Sequence, residues 1–88
     1  MEVFDLRISL KTTFVRLFVL PFEIPSAPPA IAYLLIHNKV SIGSIFLGKD
    51  YRWTTSAYLP WDTEDLQLIG NEVESLYLRF RNDLDFNV

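Results

Sequence analysis

The chain has 88 residues, half of them hydrophobic and 15% aromatic, with a formal net charge of −3; that length allows one domain with one modest core and excludes two. There is no cysteine, which excludes a disulfide framework and a thiolate metal site and makes a reducing, cytoplasmic compartment the simplest expectation. Eight of the eleven acids fall in residues 49–88, against Lys49, Arg52, Arg79 and Arg81, so the C-terminal half is acidic and non-specific binding to nucleic acid, which needs clustered cations, is disfavoured.

At the start, Met1-Glu2-Val3-Phe4-Asp5 carries acids where a signal peptide would be basic and then apolar, so no secretion signal is expected. Phe4, Leu6, Ile8 and Leu10 alternate with Asp5, Arg7 and Ser9, the period of a half-buried strand. After Lys11-Thr12-Thr13, the run Phe14 to Leu20 favours strand through its β-branched and aromatic content, although Leu10, Phe14, Leu17 and Phe18 also fit helical spacing. Residues 1–20 are therefore expected to form a strand pair. Pro21 and Pro25 are expected to close it, because proline has no N–H for a ladder bond and restricts the residue before it. Residues 21–29 become a proline-rich connector. Within it Pro25-Ser26-Ala27-Pro28-Pro29 also has the composition of a docking motif for a proline-binding module, with linkage the simpler role. The uncharged run from Ile24 to Asn38 is broken by prolines and falls short of the ~20 apolar residues of a spanning helix. No membrane span is expected.

Residues 30–59 read as a β-meander: three apolar runs, AIAYLLIH, VSIGSIFL and YRWTTSAYL, separated by Asn38-Lys39 and Gly48-Lys49-Asp50. A two-residue turn at Asn38-Lys39 predicts His37 opposite Val40, Leu35 opposite Ile42, Tyr33 opposite Ser44 and Ile31 opposite Phe46. A second one at Lys49-Asp50 predicts Phe46 opposite Trp53 and Ile42 opposite Ala57. On this register one face holds Ile31, Tyr33, Leu35, Val40, Ile42, Phe46, Trp53, Ala57 and Leu59 as core. The other face holds Ala32, Leu34, Ile36, Ile45 and Leu47 among Ser41, Gly43, Arg52, Thr54 and Ser56, and is more apolar than a solvated sheet face should be. Either the N-terminal strands fold back onto it or join the sheet edge, or a partner covers it.

Pro60-Trp61-Asp62-Thr63-Glu64-Asp65 is a helix start. Asp62 can cap free N–H groups, Asp65 follows three residues on, and Trp61 can staple onto Leu66. Acids in the first turn suit the helix dipole. Leu66, Ile69, Val73, Leu76, Tyr77 and Phe80 then keep helical spacing and predict a helix over 62–82, with its stripe on the sheet and Asn82-Asp83 at its end. Gly70 beside the stripe predicts close approach of helix to sheet. The fold class is therefore α+β: an antiparallel meander of three to five strands with one long C-terminal helix on one face.

The catalytic inventory is thin. His37 is the single histidine, Ser41 and Ser44 form no nucleophile elbow, and glycines at 43, 48 and 70 make no phosphate loop. Asp62, Glu64 and Asp65 are better placed for capping than for metal or acid–base work. Neither enzyme activity nor a cofactor is expected. What the residues favour is a small protein-interaction domain, a homo-oligomer, which engages a protein partner through Leu34, Ile36, Ile45 and Leu47 on the sheet. Leu68 and Leu78, off the helix stripe, and the acidic pair Glu72 and Glu74 are further contact candidates. The alternative is a nucleic-acid interface at the strand edge formed by Lys49, Tyr51, Arg52 and Trp53, where basic and aromatic residues adjoin. Only two cations stand there, beside an acidic helix, so this is the weaker expectation.

Overall fold

The computed structural model describes residues 3–26 and 30–86, with backbone alone for 82–86. Five strands, β1 (Phe4–Ser9), β2 (Phe14–Ile24), β3 (Ala30–His37), β4 (Val40–Leu47) and β5 (Trp53–Thr55), precede one helix, α1 (Thr63–Phe86). The strands pair antiparallel in chain order, β1-β2-β3-β4-β5. This is the α+β architecture that the change of period at Pro60 predicts. Ala27, Pro28 and Pro29, in the suggested docking motif, lie outside the described residues.

Residues 14–20 are strand, and Pro21 does not end it: β2 continues to Ile24, with Pro21 opposite Tyr33. The connector is correspondingly shorter than residues 21–29. The Asn38-Lys39 turn forms as expected, with φ of 52° and 67° at its two residues and His37 opposite Val40. Positive φ at both central positions gives the turn the twist that hairpins require.

Beyond that point the predicted register fails. Ile36 pairs with Ser41, yet Leu35 pairs with Gly43, leaving Ile42 as an extra residue in β4. Gly43 sits at φ 139°, a conformation that side chains with a Cβ rarely take, and a glycine inside a strand is a common seat of such a bulge. Because side chains alternate with period 2, one extra residue turns every later side chain of β4 over. Tyr33 therefore faces Ile45 rather than Ser44, and Phe46 pairs with Ala32 rather than Ile31. Ile45 is in the core and fully buried, whereas Phe46 lies on the opposite face and Val40 is exposed. The second turn also differs. Residues 48–52 form a five-residue loop, closed by the Gly48 N–H donating to the Arg52 carbonyl at 2.8 Å, so that Trp53 pairs with Leu47 and not Phe46. Ala57 lies beyond β5, with its Cβ against Gly43.

The core is the sheet face under α1: Leu6, Ile8, Val15, Leu17, Val19, Tyr33, Leu35, Ile45 and Trp53, closed by Ile69 and Val73 of the helix. Each fully buried aliphatic side chain contributes about 1.5–3 kcal/mol relative to exposure. The helix starts as predicted, with the Asp65 N–H donating to Asp62 Oδ1 at 2.9 Å. Lys11 Nζ in the β1–β2 turn reaches Asp62 Oδ2 at 2.6 Å and Glu64 Oε2 at 3.2 Å. These contacts raise the Lys11 pKa above its ordinary value, and the Lys11 hydrogen bond lowers that of Asp62. At its other end the helix runs past Asn82-Asp83 to Phe86, so Arg79 and Arg81 are not its last turn. Phe80 meets Phe4 of β1 edge to face, with centroids 5.4 Å apart. Since α1 also approaches β4 and β5, both edge strands reach the same helix and the sheet curls around it.

Trp53 is the joint of this arrangement. Its ring lies against Gly70, where any added Cβ would clash with Cγ and Cδ2. Its indole N–H donates to Asn71 Oδ1 at 3.0 Å. The Trp53 backbone N–H donates to Gln67 Oε1 at 2.8 Å, and Gln67 Nε2 donates back to the Trp53 carbonyl at 2.9 Å. The Gln67 amide thus takes the place of a sixth strand at this one residue of the edge.

Two substitutions test the joint. Gly70→Ala gains helix propensity of ~1 kcal/mol but forces the indole out of place, so urea unfolding should show a net loss of about 1–3 kcal/mol; unchanged or greater stability would remove the close approach from the account. Gln67→Met keeps side-chain length while leaving both Trp53 backbone groups unpaired, at a cost of about 1–3 kcal/mol. Hydrogen exchange at the Trp53 amide should speed up in this variant well before that of the β2–β3 ladder.

Candidate functional site

The face of the sheet away from α1 is uncovered among the described residues, and it is apolar. Three rows cross it: Phe18, Ile36 and Ser41; Leu20, Leu34 and Ser44; Phe22, Ala32, Phe46 and Thr54. β2 supplies the most exposed of the rings, Phe18 at 39% and Phe22 at 40%, with Phe14 at 64% further along the same face. Alternation dictates this: as Val15, Leu17 and Val19 enter the core, Phe14, Arg16, Phe18, Leu20 and Phe22 must point the other way. An antiparallel sheet with a solvated face would carry polar residues here.

Charge on the face gathers at the β1 end. Arg16 is bound bidentate to Asp5, Nε to Oδ1 at 3.0 Å and Nη2 to Oδ2 at 2.8 Å, and Arg7 approaches the same carboxylate at 3.5 Å. The Arg16 hydrogen bonds hold Asp5 below the usual carboxylate range, and Asp5 raises Arg16 in turn. The Arg16 guanidinium also stands 5.1 Å from the Phe18 ring centre. The cluster sets two cations against one carboxylate and so keeps one net positive charge.

The expected contact residues divide. Leu34 and Ile36 do lie on the open face. Ile45 and Leu47 do not: the bulge at Ile42 turns them under the helix, and Ile45, at 0% exposure, has no area to offer. Phe18, Leu20, Phe22 and Phe46 were not anticipated there. For β2 the β-branched and aromatic content of FVRLFVLPF was the available signal, and with apolar residues on both faces it carried no polar alternation to mark the open side. Leu68 and Leu78 are exposed on the helix, remote from this face, as is Glu72, while Glu74 is half-buried. Lys49, Tyr51 and Arg52 stand exposed on the β4–β5 loop, but Trp53, at 4% exposure, presents no ring on which a base could stack. Among the described residues no group of three His, Asp or Glu side chains is close enough to hold a metal ion, and no helix is long and apolar enough to cross a membrane.

A second feature lies on the helix side. Between α1 and the ends of β3, β4 and β5 opens a cleft of about 590 Å³ whose lining includes Tyr33, Tyr51, Trp53, Tyr77 and Glu74. Burial, with the charge of Glu74, pushes the Tyr33 phenol up to about 12. A raised folded-state value means that neutral Tyr33 stabilises the fold below pH ~10, the ordinary tyrosine value, and that this contribution is lost as pH climbs through about 12. Absorbance titration at 295 nm should therefore show one late tyrosine with a midpoint near 12, absent in Tyr33→Phe.

No family model matches the chain, and no curated protein or solved structure matches it.

Proposed function

We propose that this chain is a non-catalytic protein-interaction domain that associates through the open face of its sheet, and that its partner on that face is a second copy of itself. The observation that carries this reading is the set of large apolar side chains, Phe18, Leu20, Phe22, Leu34, Ile36 and Phe46, contributed by three adjacent strands on the face that α1 leaves bare. Contiguous apolar area of this kind is rare on monomers and marks interaction surfaces.

A like partner is favoured by charge. A two-fold interface places the same patch on both sides, so it must complement itself. An uncharged apolar centre meets that condition. The charged rim is confined to the β1 edge, where Asp5 is already engaged by Arg16 and Arg7 and one net positive charge is left. A strongly charged partner would find little to pair with on this face, and the acidic residues Glu72 and Glu74 lie on the helix instead. Sheet-on-sheet packing at about 10 Å, with inner side chains interdigitating, is the geometry that two such faces adopt.

Size exclusion with light scattering should give a dimer whose population falls on dilution. Phe18→Glu together with Phe22→Glu removes no core contact, so the double variant should be a monomer with unchanged far-ultraviolet circular dichroism. A wild-type monomer up to high micromolar concentration, or a dimer indifferent to both changes, would refute the assignment.

A further inference from the structure

We infer that the free edge of β1 takes an extended peptide as a sixth strand, with an apolar side chain and, two residues later, a carboxylate seated against α1. The edge lies apart from the open face, so this binding is independent of association through that face.

The hydrogen-bonding pattern of the edge follows from one bond. The Leu10 N–H donates to the Thr13 carbonyl at 2.7 Å, and in the same register Ile8 pairs with Val15, Leu6 with Leu17 and Phe4 with Val19. In an antiparallel ladder bonded pairs alternate with unbonded ones. Phe4, Leu6 and Ile8 therefore direct their backbone groups to β2, and Asp5, Arg7 and Ser9 direct theirs outward. The same alternation turns the nitrogen of Pro21 to this side of β2, beyond the reach of β1, where no ladder bond is lost.

Free edges are ordinarily blunted, and elsewhere on this sheet they are. Gln67 closes β5 at Trp53, and Pro21 removes a donor where β2 outruns β1. Along β1 no such device stands among the described residues. Its charged side chains lean inward instead: Arg16 of β2 draws Asp5 over the sheet, and Arg7 follows the same carboxylate. Three alternate residues thus offer N–H and C=O groups at ladder spacing, which an extended polypeptide matches.

The helix supplies a second wall. Two hollows lie between α1 and the edge and meet at Glu72. One, of about 400 Å³, is lined by Ile8 and Leu68, and the other, of about 290 Å³, by Leu6, Leu76 and Arg79. Leu68 is 46% exposed, an apolar side chain left without cover. A strand antiparallel to β1 passes the first hollow before the second. Its residue opposite Ile8 points toward Leu68, and its residue opposite Leu6 points toward Arg79, because same-face side chains recur every second residue. The residue between them, opposite Arg7, exchanges both backbone bonds with it. Charge selects the acid: Arg7, Arg16 and Arg79 stand against Asp5 and Glu72, and among the described residues Arg79 has no carboxylate within ion-pair distance.

The test uses the full chain and a capped peptide of about eight residues with the core Ile-Thr-Glu in a threonine-rich frame, followed by amide resonances and hydrogen exchange. Binding should be saturable. It should slow exchange at the Asp5, Arg7 and Ser9 amides about tenfold or more, while Leu6 and Ile8, already bonded to β2, change little. Methylating the peptide nitrogen of the central threonine, which bonds to Arg7, should weaken binding about tenfold or more. Methylating the nitrogen of the isoleucine, which faces away, should not. Leu68→Ser should weaken binding several-fold, and Arg79→Glu should shift preference to a peptide with lysine in place of the glutamate, both with unchanged circular dichroism. Asp5, Arg7 and Ser9 amides already slow in the free chain would show that a second copy or another part of the chain covers the edge. That result, no saturable response to the peptide, or equal affinity for the two methylated peptides would overturn the assignment.

Discussion

β5 is three residues long, too short to keep an edge position on ladder hydrogen bonds alone, and Trp53 supplies what the ladder lacks. On one side it pairs with Leu47 of β4. On the other, Gln67 satisfies both of its backbone groups and Asn71 takes its indole N–H. Gly70 between them lets the ring lie on helix backbone. Residues 67, 70 and 71 belong to one turn of helix, so a single element fixes the strand in height, rotation and distance. The unpaired edge that would otherwise invite another strand is closed at this residue by a side-chain amide.

Fixing β5 to the helix fixes the sheet as well. At the opposite edge Phe4 packs on Tyr77 and Phe80, and Lys11 in the β1–β2 turn binds the acids at the helix start. A helix is about 10–12 Å across with its side chains, while five strands spaced about 4.8 Å apart span nearly twice that. Both edges can reach one helix only if the sheet curves. The concave side then buries Leu17, Leu35 and Ile45 completely. One helix fills that side and leaves nothing for the convex side, where the rings of Phe18 and Phe22 remain in water. The apolar surplus of the composition is thus a consequence of topology: a sheet apolar on both faces with one helix to cover it.

Much of this was legible in the residues. The change from alternation to helical spacing at Pro60, the cap at Asp62, the stripe through Ile69 and Val73 and the close approach at Gly70 are local patterns, and local patterns survive folding when tertiary contacts agree with them. What was not legible depends on residues distant in sequence. Pro21 can stay in β2 because β1 ends opposite Val19, so that β2 has a partner on one side only at Pro21, and no local rule shows where that neighbour stops. Residues 14–20 are apolar on both faces of a strand, so their content favoured strand but carried no sign of which side the helix would take. The same holds for the cleft, whose lining draws on residues 33, 51, 53 and 77, which the fold alone brings together.

The bulge shows how a single residue distributes large side chains between the two faces. With Ile42 in register, Phe46 would enter the core opposite Ile31, and Ile45 and Leu47 would face outward. The extra residue reverses this, sending a large ring to the open face and two aliphatic side chains to the core and the cleft wall. β-Branched Ile45 then lies opposite Tyr33 at complete burial, where the larger ring of a phenylalanine would overpack a close-packed core. The convex face gains in exchange the ring that continues the row of Phe22 and Ala32. Gly43 permits the backbone angle, and Ala57, whose Cβ lies where a side chain at 43 would point, allows no larger residue there. Both surfaces of the sheet therefore rest on the absence of one β-carbon.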